Sequence, residues 1–271
     1  MDNRPIGIFD SGLGGLTTFC ELKRILPNEN IIYFGDTSRV PYGTRSVETI
    51  HKYAKQDIAF LKSQNVKMII AACNTATTVI TDDDIKEMSV AFTGVLNPAV
   101  ASAVKATKNK KIGVIGTTAT IQSGAYEKAL HNASPDIQVF TQACPLFVPL
   151  VENGFVDKNN EVTTLVAKQY LKTMLLNNVD TLILGCTHFP IIIDIISQIM
   201  GENVCLIDSG KEAGKVAFSL LEETNSMRVL KMSPSYKFFV SDTVKHFNEN
   251  ATTILNEKIP GIVEKINIEK Y

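Results

Sequence analysis

Short apolar runs alternate along this chain with longer stretches whose apolar residues recur every three or four positions. The short runs predict strands at residues 6–9, 31–34, 67–71, 90–96, 111–115, 137–140, 181–184, 204–207 and 236–240. The longer stretches predict helices. One begins near Gly14-Gly15, sets Leu16, Phe19, Leu22 and Leu26 on one face, and stops before Pro27. Another, from Ser46 to about Gln64, buries Val47, Ile50, Ala54, Ile58 and Leu61 and has Ser46 as its N-cap. Strands and helices in regular alternation predict an α/β fold, its sheets mainly parallel and flanked by helices.

The strands repeat. Ile6-Gly7-Ile8-Phe9 resembles Ile112-Gly113-Val114-Ile115, 106 residues on, and Tyr33-Phe34 aligns with Val139-Phe140 at the same offset. Cys73 and Cys186 stand 113 residues apart, Leu96 and Ile207 111. Four strand ends in the same order suggest a duplicated unit. This predicts two pseudo-symmetric lobes with the active site in the cleft between them. The tail after Asp208 has no counterpart in the repeat and is expected to return to the first lobe. Residues 1–95 with 208–271 then form one lobe, and 96–207 the other.

Both repeats deliver a cysteine to a strand end, in Ala71-Ala72-Cys73-Asn74-Thr75 and in Leu184-Gly185-Cys186-Thr187-His188. The carboxyl ends of strands are where open α/β sheets bind ligands. Alone, either cysteine reads as a small buried hydrophobe. As a pair beside hydroxyl, amide and imidazole groups, they read as two thiols able to act on opposite faces of one molecule. Cys20, Cys144 and Cys205 read as packing residues. Cys186 and His188 are too few for a zinc site, since no Cys-x-x-Cys and no helical His pair accompanies them. His51, His131 and His246 are isolated and read as solvated or capping residues. No metal is expected.

The loop Asp10-Ser11-Gly12-Leu13-Gly14-Gly15 is not a dinucleotide fingerprint, because Thr17 stands where the third glycine belongs, and no phosphate-loop lysine follows. It reads as a tight turn into a helix, whose free N–H groups attract anions. Gly116-Thr117-Thr118-Ala119-Thr120 repeats the feature in the second lobe. Amides and hydroxyls aimed into one cleft suit a small carboxylate. A formal net charge of −1 gives no reason to expect nucleic acid or an anionic membrane as a partner. No apolar stretch approaches the roughly 20 residues of a membrane span. Five cysteines without paired spacing, and a start with no secretory pattern, lead us to expect a reduced, cytoplasmic protein.

Inverting a carbon beside a carboxylate needs a base on one side and an acid on the other. A free thiol titrates near 8.5, so bringing it to about 7 takes roughly 2 kcal/mol of thiolate stabilisation. Helix N-termini, hydroxyls or a protonated His188 can supply it. Asp10, ending the first strand, and Glu152, in a mixed apolar and turn segment, can hold a substrate ammonium or orient a proton donor.

In Gly7-Ile8-Phe9-Asp10-Ser11-Gly12-Leu13-Gly14-Gly15, Tyr33-Phe34-Gly35-Asp36-Thr37, Pro41-Tyr42-Gly43, Ala72-Cys73-Asn74-Thr75-Ala76, Gly116-Thr117 with Thr120, and Gly185-Cys186-Thr187-His188-Phe189-Pro190, the chain resembles the glutamate racemase family. The resemblance implies cofactor-independent interconversion of L- and D-glutamate, with D-glutamate supplied to peptidoglycan synthesis. It implies that Cys73 takes the proton from the D-isomer and Cys186 from the L-isomer, assisted by Asp10, Glu152 and His188. It carries substrate binding onto Asp10, Ser11, Pro41, Tyr42, Gly43, Asn74, Thr75, Thr117, Thr120, Thr187 and His188, and implies a homodimer. Phe189 departs from the tyrosine of many members and lacks its hydroxyl. An aspartate racemase, a cis–trans isomerase of a diacid, a one-cysteine hydrolase and a non-catalytic amino-acid sensor stay open as alternatives.

Overall fold

The computed structural model describes residues 1–229, 233–255 and 258–271, apart from the side chains of residues 246, 253 and 254. His246 thus falls outside the described side chains. Among the described residues ten strands form two sheets in which every pairing is parallel. The first contains β1 (Ile6–Asp10), β2 (Ile31–Gly35), β3 (Met68–Ala71) and β4 (Ala91–Gly94). The second contains β5 (Lys111–Gly116), β6 (Gln138–Ala143), β7 (Thr181–Gly185) and β8 (Cys205–Asp208). The tail adds β9 (Tyr236–Val240) and β10 (Ile262–Lys265) to the free edge of β2.

The strand orders are β10-β9-β2-β1-β3-β4 and β6-β5-β7-β8. Without the tail strands these are the same order written twice, so the sequence repeat is a repeat of topology. In each sheet the order reverses between the first and third strands of the unit, and a crevice opens at their carboxyl ends. Register sets the contents of that crevice. Phe9 lies level with Ala71, and Gly116 with Gly185. Asp10 and Cys73 therefore leave one sheet at similar height, and Thr117 and Cys186 leave the other.

β1, β2, β3 and β7 are buried along their whole length, as continuous apolar runs between helical layers should be. Apolar clusters cover both faces of each sheet. The helix Leu16–Ile25 buries Leu16, Phe19 and Leu22 against the first sheet. It also packs on the helix Ser209–Glu223, whose inner face carries Ala213 and Ala217. The helix Val47–Ser63 starts at Ser46, whose hydroxyl accepts the Thr49 amide as a cap. Ile50, Ala54, Ile58 and Leu61 are buried on it as expected, but Val47 is 59% exposed. As the first helical residue it projects past the edge of the core.

Candidate active site

Four chain segments end at the cleft, one after each central strand: Ser11-Gly12 after β1, Cys73-Asn74-Thr75 after β3, Thr117 after β5 and Cys186-Thr187-His188 after β7. Together they line a cavity of about 370 Å³. Cys73 and Cys186, from opposite sheets, are both in its wall, only 5% and 6% exposed. Ser11, Pro41, Tyr42, Gly43, Asn74, Thr75, Thr117, Glu152, Thr187 and His188 line it too. Asp10 and Thr120 are buried and stand outside the lining.

Glycine lets the lobes meet this closely. A methyl group on Gly14 would lie 2.3 Å from Thr187 Oγ1 and 2.5 Å from His188 Nδ1. One on Gly43 would lie 2.9 Å from Thr117 Cβ. Hydrogen bonds cross at the same level. Thr17 Oγ1 donates to the Thr187 carbonyl at 3.1 Å, and the Thr75 and Thr117 hydroxyls are 2.9 Å apart. Thr120 closes a triangle of hydroxyls behind them, at 3.1 Å from Thr75 and 3.0 Å from Thr117.

The Cys73 side is electrostatically lean. Its sulfur receives the Ala76 amide at 3.4 Å and donates to Ser11 Oγ at 3.6 Å. Burial pushes the thiol up to about 12, and the neighbouring Asp10 adds to this against the Ala76 and Ser11 contacts. Cys73 therefore rests as a thiol. Asp10 takes the Gly12 amide at 3.0 Å and the Thr187 hydroxyl at 3.4 Å. Burial raises its pKa, opposed by the His188 charge and by the amides of Gly12 and Gly15.

The Cys186 side carries a cation. His188 Nδ1 is 3.8 Å from Cys186 Sγ, and Nε2 is 3.0 Å from Glu152 Oε1. Burial alone would lower the imidazole pKa, yet contact with Cys186 and Glu152 outweighs it and raises the ring to about 10. At neutral pH an imidazolium thus faces the second sulfur.

The loop bearing Pro41, Tyr42 and Gly43 rests on a buried polar cluster. The Tyr42 hydroxyl is turned to it, within 2.9 Å of Asp57 Oδ2 and in a short contact with Asp36 Oδ2. Arg39 reaches Asp36 at 2.6 Å and Asp57 at 3.3 Å. One phenolic O–H cannot donate to two carboxylates, so the cluster needs a second proton. Burial, with Asp36 close by, lifts Asp57 well above the carboxylate range, and Asp57 holds that proton. Tyr42 thus offers the cavity its ring and backbone.

Of the minor cysteines, Cys144 and Cys20 pack in or against the apolar core as expected, and Cys205 departs from that role. Cys144 is buried but lines the cavity, Cys205 is exposed at the start of β8, and Cys20 lines a separate hollow with Thr17 and Pro190. Of the histidines expected to be isolated, His51 pairs with Asp84 at 2.8 Å. Val148, Pro149 and Asn153 complete a wall with Glu152 on the helix Phe147–Glu152 and its end. The spacings 148/152 and 149/153 put these residues on one helical face, which was the signal available in sequence. Phe189 is fully buried, edge-on to Phe147 with ring centroids 5.1 Å apart, in apolar surroundings.

Residues 20–217 match the family described as Asp/Glu/Hydantoin racemase. The chain is 41% identical over 269 residues to the glutamate racemase of Geobacter metallireducens, covering 99% of this chain and 98% of the relative. Its fold superposes on a glutamate racemase isoform of Bacillus anthracis with a TM-score of 0.92 at 36% identity, covering 98% of each chain. It superposes on the Francisella tularensis glutamate racemase, solved in complex with D-glutamate, with a TM-score of 0.91 at 41% identity over the whole of both chains. The chain belongs to the Asp/Glu/hydantoin racemase family, among its glutamate racemases.

Proposed function

We propose that this chain interconverts L- and D-glutamate by a two-base proton transfer between Cys73 and Cys186, without a cofactor, and supplies D-glutamate for peptidoglycan synthesis. The observation that carries the reading is the pair of thiols from opposite sheets in the wall of one small cavity. In the resting arrangement Cys73 is held as a thiol, and the His188 imidazolium, backed by Glu152, stands 3.8 Å from Cys186, placed to act as counter-ion when that sulfur carries charge. Cys186 takes the α-proton of L-glutamate while Cys73 delivers its own to the opposite face. D-glutamate runs the same steps backwards, with Ser11 and the Ala76 amide steadying the Cys73 anion. Asp10 acts from beneath, through Thr187 and the Gly12 turn.

No lysine or arginine lines the described cavity, so the substrate carboxylates meet amides, hydroxyls and the His188 charge. Ser11, Pro41, Tyr42, Gly43, Asn74, Thr75, Thr117, Thr120 and Thr187 form that binding surface, with Thr120 supporting Thr75 and Thr117 from behind. Chiral assay of glutamate and aspartate tests the assignment. Turnover of glutamate in both directions is expected, and turnover of aspartate alone overturns it.

The same reading divides the chain into lobes 1–95 with 208–271, and 96–207, and takes it to be a cytoplasmic homodimer. The resemblance to the family supports the dimer. Among the described residues no helix is long and apolar enough to cross a membrane. Light-scattering mass checks the dimer, and a monomer under turnover conditions removes it.

A further inference from the structure

Asn74 lines the cavity next to Cys73, yet its carboxamide is gripped from behind by two residues that do not line it. Asn74 Nδ2 donates to Ser209 Oγ at 3.1 Å, and Ser209 Oγ donates to the Leu184 carbonyl at 3.0 Å. Tyr126 Oη donates to Asn74 Oδ1 at 2.5 Å. Asn74, Tyr126 and Ser209 are each no more than 2% exposed.

The donor inventory favours one arrangement, the one that satisfies Leu184, Ser209 and Tyr126 together. A carbonyl only accepts, so the Ser209 proton goes to Leu184 and the Ser209 oxygen must accept. The atom of Asn74 facing it is then a nitrogen, and the oxygen faces the Tyr126 phenol. Turning the amide over would set lone pair against lone pair at Ser209 and force the Tyr126 phenol to accept from Asn74 where it now donates. One N–H of Asn74 stays outside this chain of bonds.

The bonds also cross the cleft. Asn74 opens the short helix Asn74–Thr77 that follows β3, Tyr126 belongs to the helix Ala125–Ala133 beside the second sheet, and Leu184 precedes Cys186 by two residues. The Tyr126 ring also borders Gly185, where an added Cβ would touch Cε2 at 3.4 Å. We infer that Tyr126 and Ser209 are positioning residues. They fix the orientation of the Asn74 carboxamide toward a substrate carboxylate and hold the Cys73 loop in register with the strand that carries Cys186. The inference rests on the reading of Asn74 as a substrate contact.

The experiment measures KM and kcat for both enantiomers in N74A, Y126F, S209A and the double variant Y126F/N74A, with melting temperatures alongside. A neutral hydrogen bond lost, or a buried amide left to turn over, corresponds to about 5- to 20-fold in affinity. Y126F and S209A are expected to raise KM by about that factor while kcat changes less than about threefold. Y126F is expected to add nothing once Asn74 is gone. An unchanged KM in both Y126F and S209A, a fall in kcat alone, or an equal effect of Y126F with and without Asn74 overturns the inference. S209A carries the test should Y126F not fold. If N74A leaves KM unchanged, Asn74 is not a substrate contact and the underlying reading fails separately.

Discussion

The Cys73 and Cys186 loops occupy equivalent places in the two sheets but meet opposite charges. Cys73 faces a buried carboxylate, Asp10, and only neutral donors, and burial keeps it protonated. Cys186 faces an imidazolium held by Glu152. The repeated topology supplies two matching strand ends, and the neighbours at each end give them different electrostatic surroundings. The contrast shows that a symmetric framework can carry an asymmetric resting state.

Removing one sulfur is the strongest way to break the comparison. Cys73→Ala or Cys186→Ala should each slow racemisation by about 10³-fold or more, since a positioned acid or base contributes about 10²–10⁴. The surviving thiol should still exchange the α-hydrogen of one enantiomer with solvent: L-glutamate in Cys73→Ala, D-glutamate in Cys186→Ala. NMR in heavy water reads this, and exchange of both enantiomers by one variant would contradict the facing arrangement.

A second way is to press the lobes apart where they meet. Gly14→Ala places a methyl against Thr187 and His188, displacing the Cys186 side only. Displacements near 1 Å can reduce rate by about 10²-fold, and a loss of that size is expected with the fold retained by circular dichroism. Activity within twofold of the parent would show that the close approach has no role.

Third, the charge on the Cys186 side can be titrated. His188 binds its proton more tightly folded than unfolded, its value raised from 6.5 to about 10. Its contribution to stability is therefore complete below about 6.5 and is lost as pH rises toward 10. Cys73, raised from 9.0 to about 12, acts in the same sense above pH 9. Urea midpoints should fall from pH 7 to 10. Glu152→Gln should flatten that fall and lower kcat about tenfold, the scale of one charge-assisted hydrogen bond. A slope unchanged by Glu152→Gln would detach the glutamate from the imidazolium.

The smallest effect is expected beneath the Pro41-Tyr42-Gly43 loop, which serves neither thiol directly. Asp57→Asn mimics the protonated acid and should alter stability by less than about 1 kcal/mol. Asp57→Ala leaves Arg39 and Tyr42 short of a partner and should cost about 1–3 kcal/mol. Equal melting temperatures for the two variants would place no proton on Asp57.

Much of this molecule is legible in sequence because its central strands are buried on both faces and so stand out as apolar runs. The edge strand β10 was not legible. Only Val263 of its four residues is even half-buried, Ile262 is exposed, and Glu264 and Lys265 are polar. The cysteines, hydroxyls and His188 could be found because they follow strands directly. Cys144 could not, since burial and cavity lining look alike from composition. The direction of the Tyr42 hydroxyl, and the grip of Tyr126 and Ser209 on Asn74, depend on partners 52 and 135 residues away or on buried carboxylates. No local pattern encodes these.

The most direct test of two facing bases is the isotope content of product formed from each enantiomer in heavy water during the first fraction of turnover. Product carrying solvent deuterium at the α-carbon, with the remaining substrate almost unlabelled, is the predicted result for both directions. Product that keeps the substrate's own hydrogen, or substrate labelled as fast as product, would mean that a single group serves both faces and would contradict the assignment.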